Sequence, residues 1–392
     1  MDKSVIVGFA RTPFGKFGGK LKDYSAVQLG STALSEAINR AGVKFDDAQL
    51  VIIGQVLQGG CGQIPGRQAA IKAGVPADVP VDLINKVCAS SMRAVTLADQ
   101  IIRSGDADFV FTGGMESMSN APFYTSDIRW GHRMFDAKFK DLMVNDGLWC
   151  PYYNVHMAVH GGKLALENGI SREMQDRWAV ESQQRAEKAI LNGYLDREIV
   201  SIIDGKHGII AEDEAPRFGT TYETLKNLDG LFDKDNTVTV GNAPGVNDGA
   251  AAIIVMNAET ALSRRIQPEA VILGHSMCAE DPANIATAPG NAINKLLRKQ
   301  GLKAEDIDLF EINEAFAAVT LLSSKIVGCD LDRVNVNGGA IAYGHPLGAS
   351  GARIIMTLIC ELQRRNLRYG IAAICSGMGQ GDAILIENCR YS

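Results

Sequence analysis

The chain has 392 residues, 46% of them apolar and 21% charged, so it is long enough for two packed units and has the make-up of a globular protein. Lysine and arginine number 39 against 45 aspartates and glutamates, a net charge of −6, which gives no support for a nucleic-acid surface. Eight cysteines lie scattered without CxxC pairs or histidine spacing, which argues for reduced thiols and against a disulfide or zinc framework, and no apolar run approaches membrane-spanning length.

In chain order, Met1–Gly8 runs straight into a strand pattern with no signal or transit segment ahead of it, and Cys389–Ser392 is not a peroxisomal address. The expected compartment is therefore the cytoplasm. Ser4–Phe9 reads as a buried strand. Ala26–Ala41 carries apolar residues at helical spacing and stops at Gly42. Val51–Val56 is a strand, and Gln63–Gly74 is a helix whose Pro65 suits a first turn. Asp82–Val87 is a short strand leading to Cys88. Met92–Ser104 is a helix closed by Gly105, and Phe109–Thr112 is a strand running into the turn Gly113–Ser117. Strands alternating with helices predict a largely parallel sheet.

From Asn120 to Val240 the rhythm changes, with one long helix at Arg172–Asn192, as in an inserted loop domain. Its basic and aromatic run Arg129–Lys140 reads as a solvated or subunit-contact hairpin. Thr237–Val240 and Ala250–Met256 bracket another glycine-rich turn. The first pattern then returns. Ala270–Gly274 echoes Val5–Gly8, and Ala292–Phe310 echoes Ala33–Leu50. Arg333–Asn337, a helix from Ser350 and the strand Gly370–Ile374 echo Val81–Val87, Met92–Ser104 and Phe109–Thr112. The closing turn Cys375–Gly379 answers Gly113–Ser117. Two copies of one α/β half are expected. The first spans 1–119 and 241–268, the insertion 120–240, and the second 269–392.

In parallel sheets, ligands bind beyond the carboxyl ends of the strands. That rule gathers four turns, carrying Cys88, Asn313, His345 and Cys375. A thiol at a helix N-terminus has a lowered pKa and can act as a nucleophile, although most such cysteines are buried and inert. Cys375 lies in a turn whose N–H groups could form an anion nest, or is a core cysteine at a strand end. Asn313 is either an N-cap, with Glu314 in the first turn, or an amide left free to hold a water or an oxygen. His345 sits between Gly344 and Pro346 in Asn337–Arg353, a stretch with five glycines. From the residues alone, a tight packing loop with a structural histidine is equally open. His156 beside Met157 reads as structural. No GxGxxG, Walker, HExxH or Cys–His metal pattern occurs, so no metal and no bound cofactor are expected.

Over essentially its full length the chain resembles the thiolase family. The carriers are NKVCASSM around Cys88, GGMESMS at 113–119, NEAFA at 313–317, NGGAIAYGHPLGASGAR at 337–353 and CSGMGQG at 375–381, in order and spacing. The resemblance implies a five-layered αβαβα fold, two duplicated α/β halves with an inserted loop domain, and coenzyme A thioester substrates in a ping-pong cycle. Coenzyme A would be substrate and product, not a resident cofactor. Cys88 would accept the acyl group, His345 would take its proton and Cys375 would be the second acid/base. His345 and a water on Asn313 would form one oxyanion hole, and the N–H groups of Cys88 and Gly377 the other. The coenzyme arm would run past His156, Met157, Ala243, Pro244, Ala315 and Phe316, with Arg217 toward the nucleotide end. The HM pair at His156 and Met157 resembles thiolases that handle acetoacetyl-CoA, which implies reversible condensation of two acetyl-CoA. A longer-chain 3-ketoacyl-CoA thiolase, a carrier-protein-dependent ketoacyl synthase and a non-catalytic coenzyme A or lipid binder are the rivals. A homodimer or homotetramer is implied, with 120–140 as the tetramer contact. The chain departs from the family at Ala89 and Ser91, where glycines are usual, at Pro244 in place of a serine, and at Ala158–Gly162. The glycines of Asn337–Arg353 are expected to let the pantetheine arm pass close to the backbone.

Overall fold

The computed structural model describes residues 3–391. Met1, Asp2 and Ser392, on which the leader and peroxisomal readings partly rest, lie outside the described residues. Nine strands build the main sheet: β1 Ser4–Arg11, β2 Leu50–Gly54, β3 Val81–Ile84, β4 Phe109–Ser117, β5 Asn247–Asn257, β6 Ala270–Ala279, β7 Leu309–Ile312, β8 Tyr369–Ser376 and β9 Gln380–Asn388. Their order is β7-β8-β9-β6-β1-β5-β4-β2-β3, and the short strand Gly15–Lys16 pairs with β5. The expected largely parallel sheet is corrected. Only β2 with β3 and β4, and β7 with β8, are parallel. The centre is antiparallel, and β1 joins the halves by pairing with both β5 and β6. The connection from β4 to its neighbour β5 is the whole 120–240 segment, so no crossover helix forces those strands to run together.

Eight helices matter for the site: α1 Ala26–Ala41, α2 Pro65–Ala73, α3 Ser90–Ser104, α4 Met157–Glu167, α5 Arg172–Leu191, α6 Ala288–Gln300, α7 Ala317–Val327 and α8 Ser350–Arg364. α1 covers the outer face of β1, β4 and β5 and packs on α2, while α6 covers β6, β8 and β9 and packs on α7. α3 and α8 touch each other and strands of both halves, so they form the middle layer. The result is the five-layered αβαβα arrangement of the thiolase fold. Burial on both faces explains the unbroken apolar strands. In β1, Val5 and Val7 belong to the outer core with α1, whereas Ile6 and Phe9 belong to the central core with α3 and α8.

Three local expectations are also corrected. Gly113–Ser117 is not a turn but the end of β4, paired residue for residue with β5, because both strands stay fully buried there. Arg333–Asn337 is not a strand. The chain makes a 3-10 turn at Leu331–Arg333 and contributes one bridge, Phe310 to Val334. Thr237–Val240 likewise supplies one bridge, Thr239 to Gly230. The helix, 3-10 turn and strand order of Ala26–Gly54 recurs in Ala288–Ile312.

Among the described residues, no helix is long and apolar enough to cross a membrane, and no group of three His, Cys, Asp or Glu side chains is placed to hold a metal ion.

Candidate active site

Cys88 lies between β3 and α3, in a tight turn. The N–H of Val87 donates to Asn85 Oδ1 at 2.9 Å, and Val87 has φ 46°, rare for a β-branched residue. Such strain persists only where the surroundings fix it. Here the Asn85 bond and the packing of Val87 against Gly377 hold the turn, and with it the thiol. Cys88 is buried, and its sulfur is within hydrogen-bonding reach of the N–H groups of Gly377 and of Cys88 itself. Burial pushes the thiol up to about 12 against those two donors. Cys375, at the end of β8, is fully buried and raised well above the ordinary thiol value by burial and by the neighbouring Cys88. The two thiols therefore rest protonated at neutral pH.

His345 is fixed by the chain around it. Its N–H donates to Asn247 Oδ1 at 2.9 Å, and Nδ1 is 2.6 Å from Ser350 Oγ. The Ser350 hydroxyl also lies 2.9 Å from the Pro346 carbonyl. With its one proton given to that carbonyl, Nδ1 is the donor to Ser350 and the lone pair falls on Nε2. Nε2 is buried and has no hydrogen-bond partner among the described residues. Burial, aided by the charge of Arg353, holds the imidazole down at about 3. His345 is thus a neutral imidazole held at Nδ1 by Ser350, with Nε2 unpartnered among the described residues. The imidazole takes no proton in the native state until pH falls far below 6, so Cys88 acetylation should show no acid limb near 6.5. Ser350→Ala frees the tautomer and should cut the acetylation rate about tenfold to a hundredfold, the range for a disturbed general base. Rapid quench against pH checks both.

Asn313 does not cap a helix. α7 starts at Ala317 with Phe316 as its N-cap, so the capping reading, with Glu314 in the first turn, is corrected. The side chain of Asn313 is fully buried, and neither amide atom has a partner among the described residues. Its backbone N–H is tied to the Ala373 carbonyl on β8 at 2.9 Å. Glu314 is instead a buried knot. It accepts from Trp178 Nε1 at 3.0 Å, Ser182 Oγ at 2.8 Å, Asn335 Nδ2 at 3.1 Å and the Ile341 N–H at 3.0 Å, joining α5 to the histidine segment. Glu116 does the same from the first half, accepting from the N–H groups of Val56, Leu57 and Gly348 at 2.9–3.1 Å.

The glycines of Asn337–Arg353 face protein, which corrects the expectation that they make room for a ligand arm. A Cβ on Gly344, where φ is 101°, would stand 2.4 Å from Asn247 Cγ. One on Gly348 would stand 2.6 Å from the Met115 carbonyl, and Gly338, Gly339 and Gly351 are packed as closely. The loop is pressed onto the first half, and that close approach places His345 opposite Cys88.

Cys88, His345 and Gly377 line one cavity of about 340 Å³ together with His156, Met157, Ala243, Pro244, Ala315 and Phe316. Asn313, Cys375 and Arg217 are not in its wall. The π-turn Met143–Leu148 supplies Val144, Gly147 and Leu148 to the same wall, which is largely apolar. His156 caps α4 by accepting the Ala158 N–H at 3.1 Å and stacks on Phe232 with centroids 4.1 Å apart. Burial lowers it to about 4, so it is neutral. Arg217 is exposed and donates to the carbonyls of Val240 and Gly241 at 3.3 Å, just ahead of Ala243. Ser91, a departure from the family pattern, accepts the Ala352 N–H at 2.9 Å and so caps α8 from the other half. Ser350 and Asn247 escaped the sequence reading. Their signals were a serine at the start of the helix after the histidine, and an asparagine inside a noted glycine-rich turn.

The family models for the thiolase N-terminal and C-terminal domains match residues 4–259 and 266–388. The chain is 46% identical to an acetyl-CoA acetyltransferase of Cupriavidus necator, over 99% of this chain and 100% of that protein. It is 45% identical to one of Thiocystis violacea, over 98% and 99%, and 44% identical to one of Escherichia coli, over 99% of each. The two models together span nearly the whole chain, and the chain belongs to the thiolase family.

Proposed function

We propose that the protein is an acetyl-CoA C-acetyltransferase, joining two acetyl-CoA into acetoacetyl-CoA and free coenzyme A, reversibly. The observation that carries this is the free Nε2 of buried His345 in the same cavity as the Cys88 thiol and the Gly377 N–H. His345 Nε2 takes the Cys88 proton, and the thiolate attacks the acetyl carbonyl. The tetrahedral oxyanion is met by the N–H groups of Cys88 and Gly377. The coenzyme A thiolate leaves and takes the proton of Cys375. That leaves imidazolium at His345, thiolate at Cys375 and acetyl on Cys88.

The second half-reaction reverses those charges. Cys375 thiolate removes a proton from the methyl of the next acetyl-CoA. Burial makes this thiolate a strong base, as a weakly acidic carbon requires. The enolate oxygen is held by His345 Nε2–H and through Asn313. Its carbon attacks acetyl-Cys88, and the departing Cys88 sulfur recovers the proton from His345. No net proton is exchanged with solvent, which suits a cavity that begins and ends uncharged.

Coenzyme A is substrate and product, and the reading needs no resident cofactor or metal. Arg217, Pro244 and the residues beside His156 would meet the coenzyme arm. The halves 1–119 with 241–268, and 269–392, would each supply half of the site around the 120–240 insertion. A homodimer or homotetramer in the cytoplasm is part of the same reading. Steady-state thiolysis tests it: acetoacetyl-CoA should be cleaved at least about tenfold more efficiently, by kcat/KM, than a 3-ketoacyl-CoA of eight or more carbons. Preference for the longer substrate would replace this reading with a broad 3-ketoacyl-CoA thiolase.

A further inference from the structure

A second set of buried charges lies behind His345 and Asn313. Arg353, on α8, is 1% exposed, and none of its three guanidinium nitrogens has a hydrogen-bond partner among the described residues. Its acidic neighbour is Glu311 on β7, itself 2% exposed, with Oε2 3.7 Å from Arg353 Nη1. The contact is too long for a direct hydrogen bond, an expensive arrangement for a guanidinium in a protein interior. Compare Arg11, equally buried, which is fully engaged by Glu198 and Asp213 at 2.7–2.9 Å.

The placement of the pair is specific. Arg353 follows Ser350 by one turn of α8, so the two share a face, and Ser350 is the residue that holds His345 Nδ1. Glu311, in β7, precedes Asn313 by two residues, with Asn313 just past the end of the strand. The pair is therefore tied by short stretches of chain to the two groups proposed to receive the enolate oxygen.

We infer that Arg353, held against Glu311, is a positioning residue whose fixed positive charge favours the enolate at His345 and Asn313 over its neutral precursor. The inference rests on the condensation proposed above. Two observations support it. Arg353 is the one charge, after burial itself, that depresses the proton affinity of His345. Glu311 is pushed up to about 8 by burial, opposed by Arg353 and aided by Glu314, Glu198 and Glu361, so near neutral pH Glu311 itself cancels little of the guanidinium charge, and Glu314, engaged by four donors, is the other carboxylate that interacts with it. A buried cation without a hydrogen-bonded counter-ion keeps its field at a distance, where a closely paired one would be largely neutralised.

The test separates the two half-reactions in the full-length protein. Acetylation of Cys88 by acetyl-CoA is followed by quench and mass, and condensation by acetoacetyl-CoA formed. Arg353→Met should acetylate Cys88 within about threefold of wild type yet condense about tenfold to a hundredfold more slowly, below the loss for a direct oxyanion donor. Arg353→Lys, which restores the charge, should recover most of that loss. Glu311→Gln, which removes the acid but keeps the cation, should condense within about threefold of wild type. Parallel loss of both steps in Arg353→Met and Arg353→Lys would overturn the inference in favour of a packing role, as would wild-type condensation by Arg353→Met. A Glu311→Gln defect as deep as that of Arg353→Met would overturn it too. If wild type itself fails to condense acetyl-CoA, it is the proposed function that fails.

Discussion

Replacing Cys88 with alanine is expected to abolish both directions of the reaction, a fall of at least about 10⁴-fold in kcat, because the covalent route disappears with the sulfur. Cys375, its buried neighbour, lacks the N–H pair of Cys88 and Gly377 that the proposed mechanism sets against the oxyanion, so it should not substitute. The substitution should leave the fold intact. Cys88 contributes a small buried side chain at a turn held by Asn85 and Ser90, whose Oγ accepts the Lys86 N–H at 2.8 Å and donates to the Val87 carbonyl at 2.7 Å. Binding of coenzyme A by calorimetry should survive in the variant. Residual condensation within a hundredfold of wild type would mean that acetyl transfer does not pass through this sulfur.

Cys375→Ser is expected to divide the cycle. The coenzyme A thiolate released in the first half-reaction is a stable leaving group and can be protonated by solvent, so acetylation of Cys88 should fall by no more than about tenfold. Condensation needs a base for a methyl proton. A serine hydroxyl at that buried position gives up its proton far less readily than a thiol, and condensation should fall about 10³-fold, the scale of a lost general base. The two rates come from one experiment, a quenched time course scored for acetyl-enzyme and for acetoacetyl-CoA. Equal loss of both would show that Cys375 serves the whole cavity, not the second step.

Helices and catalytic segments were more legible in the sequence than strand direction. Ala26–Ala41 is legible from its apolar spacing and from Gly42, which ends it in the left-handed region; the structure adds Ser25 as its cap, in a capping box with Gln28. Ser90–Ser104 ends at Gly105 for the same reason. Strands β1, β4 and β5 are buried on both faces, so their apolar runs carry no period-two mark of direction or partner. Their antiparallel pairing depends on a 120–240 segment that leaves β4 and returns beside it. Gly113 and Gly114 look like a turn. They are glycines because strand β4 there is pressed against neighbouring backbone, and a Cβ on Gly114 would fall 1.9 Å from the Gly348 carbonyl.

The site shows the same division. Cys88 and His345 were legible because each sits in a turn at an element boundary, and Gly377 only through the family resemblance; all three line the cavity. What stayed hidden was contact at long range. The hydrogen bond from the His345 N–H to Asn247 spans 98 positions, and the one from the Gly348 N–H to Glu116 spans 232. Glycine-rich spacing signals that a backbone must come close to something, but the partner here is protein and not ligand.

The most direct test is a peptide map of the intact protein after brief mixing with acetyl-CoA. One added acetyl group is expected, on the peptide carrying Cys88, and it should disappear when free coenzyme A is supplied. An acetyl group on Cys375 or on no cysteine, in protein that still makes acetoacetyl-CoA, would contradict it.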